Sequence, residues 1–212
     1  LASLGRDLLE FIDAMGLDRP ALVGHDWGAR AVAIANGLRP GVASHMVMIS
    51  VGYGTNDPNQ AMSIEQARNY WYHWFMATER GIRTVRNEGK AFSQRMWDTW
   101  APKGWYSEDE FVRTAKSFEN PDWADVTVHS YTVRWGEAEK DPRYAELDRR
   151  AYSAQTISVP ALAIHGAADT VTFASATANK DKYFPAGYRR EVLDGVGHFP
   201  TREAPDKVAA LI

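Results

Sequence analysis

The chain has 212 residues, 45% of them hydrophobic, so it is long enough to form a folded domain with a buried core. Its formal net charge of -3, from 24 basic and 27 acidic residues, leaves no excess positive charge for binding a nucleic acid backbone. It has no cysteine and no apolar run of the roughly 20 residues that span a bilayer, so we expect a cytoplasmic protein without disulfides, thiolate sites or membrane partners.

The chain opens with the pattern of an amphipathic helix. Apolar residues recur at helical spacing at Leu4, Leu8, Phe11, Ile12 and Met15. Gly16 stands where the end of a helix favours a left-handed residue. The short apolar run 21–23 then predicts a buried strand, residues 24–28 predict a sharp corner, and small residues from Ala29 predict a tightly packed helix that stops near Gly37.

Three further buried strands are predicted at 46–49, at 161–164 and around 191–193. Short apolar strands separated by helices indicate a parallel α/β sheet. The stretch between the second and third strands is far longer than a crossover requires and contains only helix-like segments. We therefore predict an α/β core over 1–55, an inserted helical cap or lid over 56–151, and the rest of the core over 152–212.

The predicted lid is rich in aromatic residues. Seven of the eight tryptophans lie between Trp71 and Trp135. One interpretation is that these rings fill the core of the lid, and the alternative is that several of them line an apolar substrate pocket.

The corner Gly24-His25-Asp26-Trp27-Gly28 has the pattern of a nucleophile elbow, a sharp strand-to-helix turn with Asp26 in the central position. Glycines on both sides allow the strained backbone of such a residue, and we expect larger side chains on either side of it to clash. The backbone N–H of Trp27 would then face a charge that forms beside Asp26. The alternative is that Asp26 is only the N-cap of the following helix, a role that aspartate fills well.

Two further segments favour catalysis. His165-Gly166-Ala167-Ala168-Asp169 follows the third predicted strand, and Gly195-Val196-Gly197-His198-Phe199 follows the fourth. Nucleophile, acid and histidine thus occur in the chain order of an α/β-hydrolase triad. Asp169 would hold one ring nitrogen of His198 so that the other can take a proton from water. The remaining histidines show no metal-ligand spacing, and we treat His25, His45, His129 and His165 as mostly structural.

These three segments resemble the motifs of epoxide hydrolases of the α/β-hydrolase fold, to which haloalkane and fluoroacetate dehalogenases are related. The resemblance covers nearly the whole chain. It implies a small apolar substrate, water as second reactant and no cofactor. An ionised Asp26 would attack a saturated carbon, and water activated by His198 would hydrolyse the resulting alkyl-enzyme ester. With an epoxide, the product is a vicinal diol.

An opened epoxide leaves an alkoxide that needs a proton, which lid phenols supply by resemblance. We expect Tyr131 to be the lid acid, with Tyr70, Tyr72 or His73 as its partner. A branch of bacterial epoxide hydrolases, by resemblance, pairs a lid tyrosine with a lid histidine placed about where His73 stands. The residues expected to bind substrate are Trp27, Arg30, Tyr72 and Trp74.

Two alternatives remain open. Fluoroacetate dehalogenases have, by resemblance, an arginine like Arg30, but they have a second arginine where this chain has Trp27, and a triad acid where 50–52 offers none. A haloalkane dehalogenase is less disfavoured, because Trp27 could donate its indole N–H to a halide. The other alternative is a ligand-binding member of the fold without catalysis.

The family fold places further strands before the opening helix, including a His-Gly-x-Pro loop that provides a second oxyanion donor. This sequence contains no such segment. We expect a longer chain, or a separately supplied N-terminal segment, because the first strand would otherwise expose a hydrophobic edge.

Overall fold

A computed structural model describes residues 1–55, 61–153 and 156–212. Its strands are β1 (Ala21–His25), β2 (His45–Ile49), β3 (Ala161–Gly166) and β4 (Tyr188–Leu193). They form one parallel sheet in the order β1-β2-β3-β4. Each covers the apolar run that predicts it, so the predicted parallel α/β sheet is confirmed. Within the described residues β1 is an edge strand, and Val23 on it is 47% exposed.

The helices surround this sheet. In chain order they are α1 (Ala2–Ala14), α2 (Trp27–Leu38), α3 (Ile64–Asn69), α4 (Trp71–Met76), α5 (Glu79–Asn87), α6 (Gly89–Trp100), α7 (Glu108–Ala115), α8 (Trp123–Trp135), α9 (Ala145–Ser153), α10 (Pro200–Glu203) and α11 (Pro205–Leu211). None of the helices in the described part of the chain is long and apolar enough to cross a membrane.

The stretch between β2 and β3 is helical, and its described residues contain no strand. The predicted start of the lid at Asn56 lies outside the described residues. Its predicted end at Ala151 falls within α9, which packs against α1 and α2 and places Leu147 and Ala151 against the main core. The bounds of the three predicted segments therefore stay a prediction.

Helix α1 ends as the sequence predicts. Gly16 has a φ of 62°, its N–H donates to Asp13, and the N–H of Leu17 donates to the carbonyl of Ile12 at 3.0 Å. This paired arrangement satisfies carbonyls that the helix end would otherwise leave open. The predicted apolar face is only partly buried, because Ile12 is covered whereas Phe11 is 57% exposed.

Within the described residues, buried apolar side chains form three clusters. The largest lies between the sheet and helices α1, α2 and α9, and it includes Leu9, Val32, Met46, Met48 and Phe184. A smaller one is formed by Val47, Ile49, Ile164 and Val208. The third lies among the lid helices and combines Tyr70, Tyr72, Met76 and Val128 with partly buried Trp100, Tyr131 and Trp135. Many lid aromatics thus do fill a local core.

Candidate active site

The carboxyl ends of three parallel strands bring Asp26, Asp169 and His198 together. Asp26 directly follows β1, whereas Asp169 and His198 lie on the loops after β3 and β4. The Nδ1 atom of His198 is 2.8 Å from Asp169 Oδ2, and its Nε2 atom is 4.0 Å from Asp26 Oδ2. The imidazole thus stands between two carboxylates, in hydrogen-bond contact with one and in electrostatic reach of the other.

Asp26 has a strained backbone. Its φ of 49° and ψ of -112° fall in a region that non-glycine residues rarely occupy. It occupies the N-cap position of α2, but its side chain makes no capping hydrogen bond. The capping interpretation therefore does not account for this residue, and the carboxylate faces His198 instead.

The two glycines of the elbow differ in their surroundings. A Cβ added to Gly24 would lie 2.3 Å from the backbone of Gly28, so only glycine fits there. A Cβ at Gly28 would meet no atom within 4 Å in the described part of the chain. The clash that the sequence predicts on both sides of Asp26 is therefore found on one side only.

We expect Gly24→Ala to lower the free energy of unfolding by about 1–3 kcal/mol, because the added methyl group collides with backbone rather than with a movable side chain. Gly28→Ala is the matched control. It adds the same methyl group inside α2, where alanine is favoured over glycine by about 1 kcal/mol. Urea unfolding of both variants measures the difference, and equal destabilisation would contradict the steric explanation.

The loop after β3 holds Asp169 firmly. Its Oδ1 accepts the backbone N–H groups of Val171 and Thr172 at 2.7 and 3.1 Å. Its Oδ2 accepts from His198 and lies 3.2 Å from His165 Nε2. Burial opposes ionisation, but the charge of His198 and the hydrogen bonds from both histidines lower the pKa of Asp169 to about 2. Asp169 is therefore a carboxylate at neutral pH.

The electrostatics of His198 and Asp26 are linked. Burial alone would lower the pKa of His198, but Asp169 and then Asp26 raise it to about 10. Burial would raise the pKa of Asp26, but His198 and Arg30 outweigh it and hold that pKa well below its usual range. The two carboxylates thus favour the protonated form of His198, which lies between them.

The backbone of His198 is clamped by distant parts of the chain. Its carbonyl accepts from His25 Nε2 at 2.6 Å and from the Ser50 hydroxyl at 3.0 Å. Its N–H donates to the carbonyl of Trp100 at the end of α6, at 3.0 Å. His25 therefore lies beside the elbow as expected, with a supporting contact. The sequence analysis did not identify the contact of Ser50 with His198. The unusual backbone φ of Ser50, 61°, is visible only in the structure.

The charge of Asp26 acts on two lid phenols, Tyr72 and Tyr131. The rings of Tyr72 and Tyr131 meet edge to face at 5.3 Å, and the indole N–H of Trp27 points at the Tyr131 hydroxyl oxygen at 3.4 Å. Burial and the nearby charge of Asp26 raise the pKa of Tyr131 to about 12. Burial also raises the pKa of Tyr72. Both phenols are therefore protonated at neutral pH.

The other predicted lid residues have different surroundings. The hydroxyl of Tyr70 pairs with Thr172 on the acid loop at 2.9 Å. His73 is buried beside Tyr131, with ring centroids 4.7 Å apart. Trp74 is 40% exposed and donates its indole N–H to Ala67. Tyr70 thus contacts the loop after β3 that carries Asp169, while Tyr72 and His73 lie next to Tyr131. The role of Trp74 in substrate binding stays a prediction.

Two arginines border the site. Arg30, one turn after Asp26, is buried and donates to Thr55 Oγ1 at 3.3 Å. Burial and the charge of Arg134 lower the pKa of Arg30 to about 10. Sequence reasoning missed Arg134, whose guanidinium lies 4.9 Å from the Trp135 ring and 5.7 Å from the Trp27 ring. The spacing in the sequence could have identified it: Arg134 follows Tyr131 by three residues in α8, which places both side chains on the same face of the helix.

No cluster of three or more His, Asp or Glu residues within 1–55, 61–153 and 156–212 could hold a metal ion.

Comparison with known proteins shows the family of the chain. The model of the alpha/beta hydrolase family matches residues 1–211. Epoxide hydrolase A of Mycobacterium tuberculosis is 28% identical over 234 residues, which span 99% of this chain and 72% of that protein. A crystal structure of a candidate epoxide hydrolase from Klebsiella pneumoniae has a TM-score of 0.87 at 27% identity, covering 97% of this chain and 69% of the other.

The fold alone does not select the reaction. A candidate acyltransferase from Salmonella enterica has a TM-score of 0.81 at 18% identity, covering 99% of this chain and 68% of its own. The family match extends over almost every residue, including the elbow and the loops that carry Asp169 and His198. The chain therefore belongs to the alpha/beta hydrolase family, and within it the chain is similar to epoxide hydrolases.

Proposed function

We propose that this protein hydrolyses a small epoxide to a vicinal diol through a covalent ester with Asp26. The observation that carries the proposal is that the Asp26 carboxylate lies 4.0 Å from His198 Nε2 and that its charge acts on the neutral phenols of Tyr72 and Tyr131. A nucleophile, a water-activating base and a proton donor are the three groups that this reaction requires. The names of the relatives in M. tuberculosis and K. pneumoniae support the same choice.

In the first step, a carboxylate oxygen of Asp26 attacks an epoxide carbon and the ring C–O bond breaks. The alkoxide that forms takes the hydroxyl proton of Tyr131. The indole N–H of Trp27 is directed at the Tyr131 oxygen, so it leaves that proton free to transfer and stabilises the phenolate that remains. The products of this step are a hydroxyalkyl ester and a phenolate.

The ester prepares the second step, because its formation removes the negative charge of Asp26. One of the two carboxylates that raise the pKa of His198 is then gone, and the imidazolium can give its proton to the Tyr131 phenolate. Neutral His198 takes a proton from water, and the hydroxide attacks the ester carbonyl. The ester C–O bond to the carbonyl carbon breaks, and the departing alkoxide oxygen takes the proton of the His198 imidazolium. The carboxylic acid formed at Asp26 then returns its proton to His198, the diol leaves, and the site is back at its starting protonation.

This mechanism predicts where the oxygen of water goes. In one turnover in ¹⁸O-labelled water, we expect the label in the Asp26 carboxylate and not in the diol, because water attacks the ester carbonyl. Label in the diol of the first turnover would contradict the ester.

A substrate panel with a pH indicator separates the competing reactions, since dehalogenation releases acid at each turnover and epoxide hydration does not. Absence of diol from every epoxide would overturn the proposal.

Tyr131→Phe is expected to lower kcat for an epoxide by roughly 10²-fold, because general acid catalysis by a positioned group contributes about 10²–10⁴-fold and Tyr72 remains in place. Tyr106→Phe is the matched control, since Tyr106 is a half-buried lid tyrosine whose hydroxyl makes an exposed hydrogen bond to Asp98. Steady-state rates of the two variants and the wild type measure the effect. Equal rates for Tyr131→Phe and Tyr106→Phe would remove Tyr131 from the mechanism.

A further inference from the structure

His73 is held in one tautomer. Its Nδ1 atom accepts a hydrogen bond from the indole N–H of Trp135 at 2.9 Å. An imidazole nitrogen that accepts carries no proton, so in the neutral ring the proton is on Nε2. The Nε2 atom is buried and has no hydrogen-bond partner among the described residues. The Nε2–H group of His73 is therefore a buried hydrogen-bond donor in the lid that has no acceptor among the described residues.

The surroundings of His73 keep the ring neutral. Burial is the largest effect that lowers the pKa of His73, and the positive charges of Arg134 and Arg30 lower it further. Together these effects outweigh the negative charge of Asp26 and bring the pKa of His73 to about 2. The other titratable groups that face the ring are phenols: Tyr70 is stacked on it at 4.5 Å, and Tyr72 and Tyr131 lie at 4.2 and 4.7 Å. His73 can thus donate a hydrogen bond at neutral pH but does not carry an acidic proton.

We propose that Trp135 is a positioning residue that fixes the Nε2–H tautomer of His73, so that His73 donates a hydrogen bond to the substrate oxygen that Tyr131 protonates. The proposal rests on the proposed function for its substrate. The pairing of Tyr131 with His73 is what the resemblance implies, and the new element is Trp135, whose N–H keeps the His73 proton on Nε2. Tyr131 then transfers the proton, and His73 stabilises the developing alkoxide without proton transfer. Without the indole N–H, the proton can move to Nδ1, and Nε2 would then present a lone pair to that oxygen.

The test replaces Trp135 with Phe, which keeps an aromatic ring against Tyr70 and Trp74 but removes the N–H. Trp105→Phe is the matched control, because it also removes one indole donor, here bonded to the Trp97 carbonyl at 2.8 Å. Imidazole ¹⁵N NMR reports which nitrogen of His73 carries the proton, and steady-state kinetics report kcat and KM for an epoxide.

In the wild type and in Trp105→Phe we expect the proton on Nε2. In Trp135→Phe we expect a shift of the proton toward Nδ1 and a loss in kcat of roughly tenfold at nearly constant KM, a part of the 10²–10³-fold that a full oxyanion donor contributes. An unchanged tautomer in Trp135→Phe, or a loss in kcat no larger than that of Trp105→Phe, would overturn the proposal. The NMR measurement needs no substrate, so a protein inactive on epoxides would refute the proposed function separately from the tautomer assignment.

Discussion

His198→Gln is expected to stop the reaction after the first step and to accumulate the ester of the substrate with Asp26. Asp26 attacks without a base, because it is already ionised at neutral pH, and Arg30 still favours its charged form. Hydrolysis of the ester does need a base, and glutamine cannot take a proton from water. Loss of a triad member lowers turnover by roughly 10⁴–10⁶-fold in a well-studied hydrolase, and we expect a loss of this order.

Intact-mass spectrometry measures this result directly. The His198→Gln protein should gain the mass of one epoxide molecule, and peptide mapping should place the adduct on the segment 24–28. His129→Gln is the control, since His129 is an exposed lid histidine and that variant should turn over without a lasting adduct. If His198→Gln carries no adduct with an epoxide that the wild type converts, the ester mechanism is wrong.

Asp26→Ala is expected to reduce turnover by at least about 10⁴-fold, because alanine cannot form the ester that the mechanism requires. Affinity for the substrate should change little, since the lid residues around the pocket are untouched. Asp206→Ala, at the exposed start of α11, is the matched control and should keep full activity. Turnover of Asp26→Ala within tenfold of the wild type would assign the nucleophile elsewhere.

The same variant tests the electrostatic link between the steps. Removing the carboxylate of Asp26 imitates the charge lost when the ester forms, so the pKa of His198 should fall from its raised value toward the ordinary one. NMR titration of His198 in the wild type and in Asp26→Ala measures this. An unchanged titration would mean that Asp169 alone sets the charge of the imidazole and that alkylation does not activate it.

A ligand-binding protein without catalysis remains distinguishable from the enzyme. Asp26→Ala would spare ligand affinity under both views, so measurable turnover by the wild type is the discriminating observation.

The sequence by itself determined the sheet and the meeting of Asp26, Asp169 and His198. Short apolar runs bounded by turn residues specify buried parallel strands, and the carboxyl ends of such strands share one edge. Asp26, Asp169 and His198 each follow a strand within a few residues. Their meeting is therefore a consequence of local motifs and topology, and chain order was enough to predict it.

Only the tertiary structure decided what surrounds these groups. His25 and Ser50 reach the carbonyl of His198 across 173 and 148 positions, and Trp135 contacts His73 across 62. Spacing along one chain segment reveals which residues share a helix face, but the pairing of two faces depends on how helices pack. Burial and neighbouring charges also shift the pKa of each histidine. Folding places His198 between two carboxylates, which raise its pKa, and it buries His73 near Arg134 and Arg30, which lower its pKa.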